Sequence, residues 1–307
     1  MDDGKRHLAD LVNMESPQAV YDEVRHIVSL IHPGFPLPLL DTVFRDTVRL
    51  FRGRYPGYRA CTTEYHNLKH TTDVLIALAR IMHGASLKKA PLSEEGVFLG
   101  LLSALLHDSG YIQAADDRKG TGAKYTLIHV ERSVAFAEAY CARKRYPAGY
   151  AEKCTSMIRC TNLNTPVGEI PFLSEEVELV GRMLGAADLV GQMADRVYLE
   201  KLLFLFYEFK EGLLKGYSSE RDLLQKTLTF YEHTKSRLDS DLGGIHRYLR
   251  HHFRERWGMD KDLYARAIES NIKHLRFILD DSGKDHRSHL QRGGIVKRLG
   301  RKPPSSG

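Results

Sequence analysis

Two histidines and an aspartate stand close together in EYHNLKHTTDVLIALARIM, residues 64–82. The apolar residues that follow recur with helical period, and residues four apart on a helix lie one above the other. His66 and His70 are therefore expected on one face at the start of a helix, with Asp73 one turn beyond His70. Two imidazoles on one face can serve a single site, although satisfied polar residues on an amphipathic helix give the same pattern.

Two further segments place ionisable side chains in apolar surroundings. In LLSALLHDSGY, His107 and Asp108 end an otherwise apolar helix, and in LGAADLVGQM, Asp188 lies among leucines and alanines. A buried carboxylate is costly unless a positive partner or a metal ion compensates it. With His70, these residues form a nitrogen and oxygen set that suits Zn²⁺, Mn²⁺, Mg²⁺, Fe²⁺ or Ni²⁺ and leaves coordination positions open for water.

The segments that must position these residues read as helices. Apolar residues recur at intervals of three and four, and no convincing alternating run predicts a strand. Ser93 and Ser174 each precede two glutamates and are predicted to cap helices, while residues 173–209 give a single long helical signal. The predicted fold is all-α, a compact multi-helix bundle.

Three parts are predicted along the chain. Residues 1–49 form N-terminal helices that pack on the core, residues 50–281 form a single domain without an internal linker, and residues 282–307 form a basic disordered tail. Between residues 284 and 302, seven lysines and arginines stand against one aspartate, so the net charge of +6 belongs to this tail. Such a run is typical of a solubilising extension, which argues against a nucleic-acid partner.

The chain shows no sign of export or of membrane insertion. Its first twenty residues resemble neither a secretory signal nor a transit peptide, and the longest apolar run, VFLGLLSALL, is too short to cross a bilayer. The four cysteines lack CxxC spacing and are expected to be reduced and mostly buried. A cytoplasmic protein without a membrane span is predicted.

The order His…His-Asp…Asp on successive helices resembles that of the HD-domain metal-dependent phosphohydrolases. More narrowly, YHNLKHTTDV is similar to the YHNxxHAxDV signature of the class I cyclic-nucleotide phosphodiesterases, and GAADLVGQ to their CADLSNP segment. The resemblance covers roughly residues 50–280 and implies an HD-type catalytic domain there. It implies that His66 is the general acid that protonates the leaving alkoxide, and that Asp108 could bridge to a second ion. The metal ligands that it implies are His70, His107, Asp108 and Asp188.

Four further residues are candidates for supporting roles around this set. Tyr111 stands where the family carries a histidine, which weakens the case for a second metal ion, and His129 is a candidate to compensate. Asp73 could orient His70, and Gln192, one turn beyond Asp188, could reach the site. Each of these side chains has an ordinary structural role as an alternative.

The resemblance and the ligand set together predict a metal-dependent phosphohydrolase. It would hydrolyse a small phosphoester, most specifically a 3',5'-cyclic nucleotide, with water activated by a divalent ion. Two alternatives remain open: a phosphohydrolase of nucleotide or nucleoside monoesters, and a regulatory module that binds a nucleotide without turnover.

Overall fold

The computed structural model describes residues 6–88, 90, 92–281 and 285–299. Within these ranges the chain forms twelve α-helices and no β-strand, only two isolated bridges between short loops. The predicted all-α fold is confirmed. The helices are α1 (Pro17–Ile31), α2 (Leu37–Phe51), α3 (Leu68–Ser86), α4 (Glu94–Leu106), α5 (His129–Lys144), α6 (Tyr150–Arg159), α7 (Glu175–Met193), α8 (Tyr198–Glu211), α9 (Glu220–Asp239), α10 (Leu249–Trp257), α11 (Leu263–Asp280) and α12 (Ile295–Leu299).

Helix α3 is the centre of the molecule. Every residue from His70 to Ala85 is buried, and the helix packs against α1, α4, α7 and α10. Helix α4 is apolar on all sides and is also buried, as expected for such a helix. Gly100 lets α4 approach its neighbours closely, because a Cβ there would lie 2.4 Å from Met82 Cε and 2.6 Å from Val180 Cγ1. The core therefore fixes α3, α4 and α7 against one another.

The first two helices belong to the same core. Helix α1 packs against α3 and α2 packs against α4. The boundary predicted between residues 49 and 50 falls inside α2. None of the described helices combines the length and the apolar character that a bilayer crossing requires. All four cysteines are free, and three of them are buried, as predicted.

The predicted caps are present, but the long helical signal at 173–209 breaks. Ser93 Oγ accepts a hydrogen bond from Gly96 N at 2.9 Å, and Ser174 Oγ accepts one from Val177 N at 3.3 Å. Reading residues 173–209 as one helix is wrong, because α7 ends at Met193 and α8 begins at Tyr198. Asp195 makes the break: its Oδ1 accepts from Val197 N at 3.1 Å, a local bond that competes with helix continuation.

The prediction of a disordered tail is wrong for residues 285–299. Leu290 and Ile295 are buried there, and the Arg287 guanidinium donates to both carboxylate oxygens of Glu220, at 2.5 and 2.8 Å. Glu200 Oε1 accepts a hydrogen bond from the Gly293 backbone at 2.6 Å. Carboxylates on α8 and α9 thus hold a segment whose basic composition suggested disorder. Residues 282–284 and 300–307 of the predicted tail lie outside the described part of the chain.

Candidate metal centre

The four predicted ligands lie on or next to three helices that pack against one another. His70 lies in the first turn of α3, His107 and Asp108 follow α4, and Asp188 lies in α7. His70 Nε2 is 3.4 Å from His107 Nε2, 3.3 Å from Asp108 Oδ2 and 3.2 Å from Asp188 Oδ1. His107 Nε2 is 3.4 Å from Asp108 Oδ2 and 3.8 Å from Asp188 Oδ1. Ligand atoms of His70, His107 and Asp108 thus all lie within 4.8 Å of one another, and Asp188 lies beside the two imidazoles.

The hydrogen bonds around this point leave ligand atoms free. His107 Nδ1 lies 2.8 Å from the Ala104 carbonyl oxygen and donates to it, which leaves Nε2 with a lone pair. Asp108 Oδ2 is buried and accepts no hydrogen bond, and His70 Nδ1 has no partner either. A buried carboxylate oxygen without a donor is costly. The donor set and the unpartnered oxygen both fit a divalent cation.

The charges of the four side chains perturb one another's protonation. Burial lowers the pKa of His70, but the neighbouring Asp108 and Asp188 outweigh it and raise that pKa to about 9. Burial acts against the charged form of Asp108, yet His107, His70 and His66 hold its pKa well below the usual range. In the absence of an ion, a proton on His70 therefore compensates part of the negative charge.

His66 does not lie on the helix, so the prediction that it shares a helix face with His70 is wrong. Helix α3 begins at Leu68, and Asn67 is its N-cap, with Oδ1 accepting a hydrogen bond from His70 N at 3.2 Å. Asparagine is among the preferred residues at this position. The His66 ring nevertheless lies near the cluster, with its centroid 5.8 Å from that of His70.

Glu208, which sequence reasoning missed, holds His66. The His66 Nδ1–H donates to Glu208 Oε2 at 2.7 Å, and the other carboxylate oxygen accepts from the backbone of Glu64 at 2.8 Å and Tyr65 at 2.7 Å. Glu208 lies in α8 and is buried. It stands in LFLFYEFKEG, an apolar stretch, so the reasoning that singled out Asp188 could have found it.

Tyr111 lies beside two imidazoles, whose own centroids are 6.1 Å apart. Its ring stacks on His66 with centroids 4.3 Å apart and on His129 with centroids 4.5 Å apart. His129 Nδ1 donates to the Thr126 carbonyl oxygen at 2.7 Å. Gly110 permits the close approach, because a Cβ there would lie 2.0 Å from the His129 carbonyl oxygen. His129 therefore lies next to both Tyr111 and His66.

The other two candidates are engaged elsewhere. Asp73 does not orient His70, so that prediction is wrong: its Oδ2 accepts from Lys69 Nζ at 2.7 Å, and Lys69 also lies 3.2 Å from Asp195. Gln192 Oε1 accepts a hydrogen bond from the Tyr65 hydroxyl at 2.8 Å. Gln192 therefore supports the residue next to His66.

The described chain is an all-α protein with a buried cluster of histidines and aspartates. The family model described as Npun_R2479-like matches residues 58–242, and the chain belongs to this family. The match includes every site residue from His66 to Glu208. No curated protein matches the chain.

Proposed function

We propose that this chain is a metal-dependent phosphohydrolase that hydrolyses a small phosphoester, with a 3',5'-cyclic nucleotide as its substrate. The observation that carries the proposal is the cluster of His70, His107 and Asp108, with Asp188 beside the two histidines and one buried carboxylate oxygen without a hydrogen-bond donor. A divalent cation would compensate the negative charge of these carboxylates, which supports the proposal.

The four side chains would hold one divalent ion. When bound, such an ion neutralises phosphoryl oxygens and lowers the pKa of a water molecule from about 15.7 toward about 7. The ring nitrogen of His107 is already presented in the tautomer that a ligand needs. A second ion would need a further ligand such as His129, whose ring packs on Tyr111 and lies near His66. The proposal requires only the first.

His66 supplies the proton of the reaction. A water oxygen bonds to phosphorus and the water gives up one proton to solvent, the bond from phosphorus to the ester oxygen breaks, and the leaving alkoxide takes a proton from His66. A cyclic nucleotide is thereby opened to a nucleotide with a phosphomonoester and a free hydroxyl, and solvent returns a proton to His66. The Glu208 carboxylate binds the Nδ1–H of His66, so the proton is delivered from Nε2. Stacking on Tyr111 fixes the plane of the ring.

The free cysteines fit a reducing compartment, so we place the enzyme in the cytoplasm. This placement agrees with the substrate class, since nucleotides are cytoplasmic metabolites.

A substrate panel tests the proposal. The purified protein is stripped of metal, reconstituted with Mn²⁺, and offered cyclic nucleotides, nucleoside monophosphates and nucleoside triphosphates in separate assays. We expect hydrolysis of the cyclic diesters. Release of phosphate from the monoesters or triphosphates alone would indicate the monoester phosphohydrolase, and tight nucleotide binding without turnover would indicate the regulatory module.

A further inference from the structure

An apolar patch lies exposed where the end of α8 meets the loop before α5. Leu213 and Leu127 are the two most exposed large apolar side chains of the described chain, at 79% and 71%, and Ile128 is 54% exposed. The two segments are in contact, since a Cβ on Gly212 would lie 2.9 Å from Thr126 Cβ. We call Leu127, Ile128 and Leu213 the leucine patch.

The backbone of Leu213 is strained although its side chain is not buried. Its φ is +58°, in the left-handed region, at the end of a helix where glycine is usual. Among described non-glycine residues, only Arg145 shares a positive φ, at +54°. A leucine that is both strained and exposed contributes little to the fold. Its presence points to a role outside the fold.

The two segments that carry the leucine patch also carry exposed basic residues. Lys124 is paired with Asp117, and Glu211 is occupied by the Thr121 backbone and hydroxyl. The two segments contain one exposed acidic residue, Asp116. They also contain four exposed basic residues, and the described part of the chain shows no ion pair for any of the four. These are Arg118, Lys119, Lys210 and Lys215.

This composition favours a membrane surface over a protein partner. Protein interfaces are depleted in lysine, and leucine is under-represented among the residues that dominate their binding energy. Exposed aliphatic side chains in segments with unpaired lysines and arginines suit the headgroup region of a bilayer with anionic lipids. We propose that the leucine patch docks this protein on an anionic membrane surface.

Docking at the leucine patch would place the candidate site beside the bilayer. Glu208, which holds His66, precedes Leu213 by five residues, roughly 7.5 Å along a helix. Ile128 directly precedes His129, which stacks on Tyr111. The proposal itself does not depend on turnover, because membrane binding is measured separately from hydrolysis.

Sedimentation with vesicles tests the docking. The full chain is mixed with vesicles of phosphatidylcholine, with or without phosphatidylserine. We expect binding to the anionic vesicles that weakens as salt is raised. Leu213→Gly and Leu127→Ser should each reduce partitioning by about tenfold, from the lost apolar burial. Lys210→Gln and Lys215→Gln should each reduce it by roughly fivefold.

Matched variants separate docking from folding. Leu163→Ser and Leu173→Ser alter side chains that are 48% and 51% exposed elsewhere and should leave binding unchanged. Leu213→Gly and Arg145→Gly should both raise the melting temperature by relieving a positive φ, while only the former weakens binding.

Three results would overturn the proposal. The first is no binding to anionic vesicles at low salt. The second is binding that survives Leu213→Gly and Leu127→Ser but is lost when the chain ends at Leu299, because Arg301 and Lys302 would then be its source. The third is a dimer in solution that Leu213→Gly abolishes, since the leucine patch would then contact a second copy.

Discussion

His66 is held on one side by the Glu208 carboxylate and on another by the ring of Tyr111, a setting that suits a proton donor more than a metal ligand. It lies outside α3, so the N-cap Asn67 separates it from His70. The histidine proposed to bind metal and the histidine proposed to move a proton are thus positioned by different contacts.

Replacing His66 by alanine should reduce turnover without removing the metal. General acid catalysis contributes about 10²–10⁴-fold, so a loss of that size is expected for a ribose leaving group. The loss should shrink for an activated aryl phosphodiester, whose phenolate departs without a proton. Steady-state kinetics on both substrates, with metal analysis of the same preparations, measure this. An equal loss on both substrates would assign His66 a structural or metal-positioning role.

Glu208→Gln should also lower turnover while metal content stays unchanged. The amide keeps the shape of the side chain but cannot accept from His66 and from the two backbone amides as a carboxylate does. Glu211→Gln is the matched control, because Glu211 lies on the same helix and binds Thr121 instead of His66. Equal kinetic effects of the two substitutions would show that Glu208 has no special relation to His66.

At the scale of elements, patterns that depend on neighbours in sequence were predictable and those that depend on tertiary contacts were not. The apolar periods of α3 and α4 and the caps Ser93 and Ser174 are local, and they are present. The break between α7 and α8 is an exception, because the bond from Val197 N to Asp195 Oδ1 that makes it is local and was still not recognised in the sequence. The site followed the same rule: the four ligands could be picked from their apolar surroundings, but the pairing of Asp73 with Lys69 could not.

Helix α10 carries a histidine that should make the fold sensitive to acid. Burial lowers the pKa of His252 to about 2, and Arg80, His83 and Arg256 act in the same direction. The unfolded chain binds a proton there below about pH 6.5 that the folded chain does not. His252 therefore contributes stability above about pH 6.5 that is lost as the pH falls toward 2.

Melting temperatures of the wild type and of His252→Gln, at about pH 7.5 and about pH 5, measure this effect. The melting temperature of the wild type should fall more between the two pH values than that of the variant, because the variant has no group that binds a proton at this position. An equal loss in both proteins would place the acid sensitivity at other groups.

At the scale of the whole molecule, the carboxy-terminal segment is part of the fold. Arg287 forms an ion pair with Glu220 of α9, and the Gly293 backbone donates a hydrogen bond to Glu200 of α8. Its composition alone suggested disorder, since lysine and arginine are as common in tails as in anchored segments. A disordered tail and an anchored segment differ only in whether carboxylates elsewhere in the chain bind them. Here these carboxylates are Glu220 and Glu200, which lie some seventy to ninety positions earlier.

Ending the chain after Lys284 should therefore lower the melting temperature by several degrees. The truncation removes the buried Leu290 and Ile295 and leaves Glu200 and Glu220 without their partners. Arg287→Ala, which breaks only the contact with Glu220, should give a smaller decrease. Thermal unfolding followed by circular dichroism gives both values, and an unchanged melting temperature in the truncated protein would contradict the packed segment.

The most direct measurement titrates metal-stripped protein with Mn²⁺ and follows bound metal and hydrolysis of a cyclic nucleotide in the same samples. Hydrolysis should rise in proportion to bound Mn²⁺. The Asp188→Asn variant should lose bound metal and hydrolysis together. The Asp73→Asn variant should keep both properties, because Asp73, also on a buried helix, pairs with Lys69 instead. Stoichiometric Mn²⁺ binding without hydrolysis of any phosphoester, or full metal content in Asp188→Asn, would contradict a catalytic metal centre at these residues.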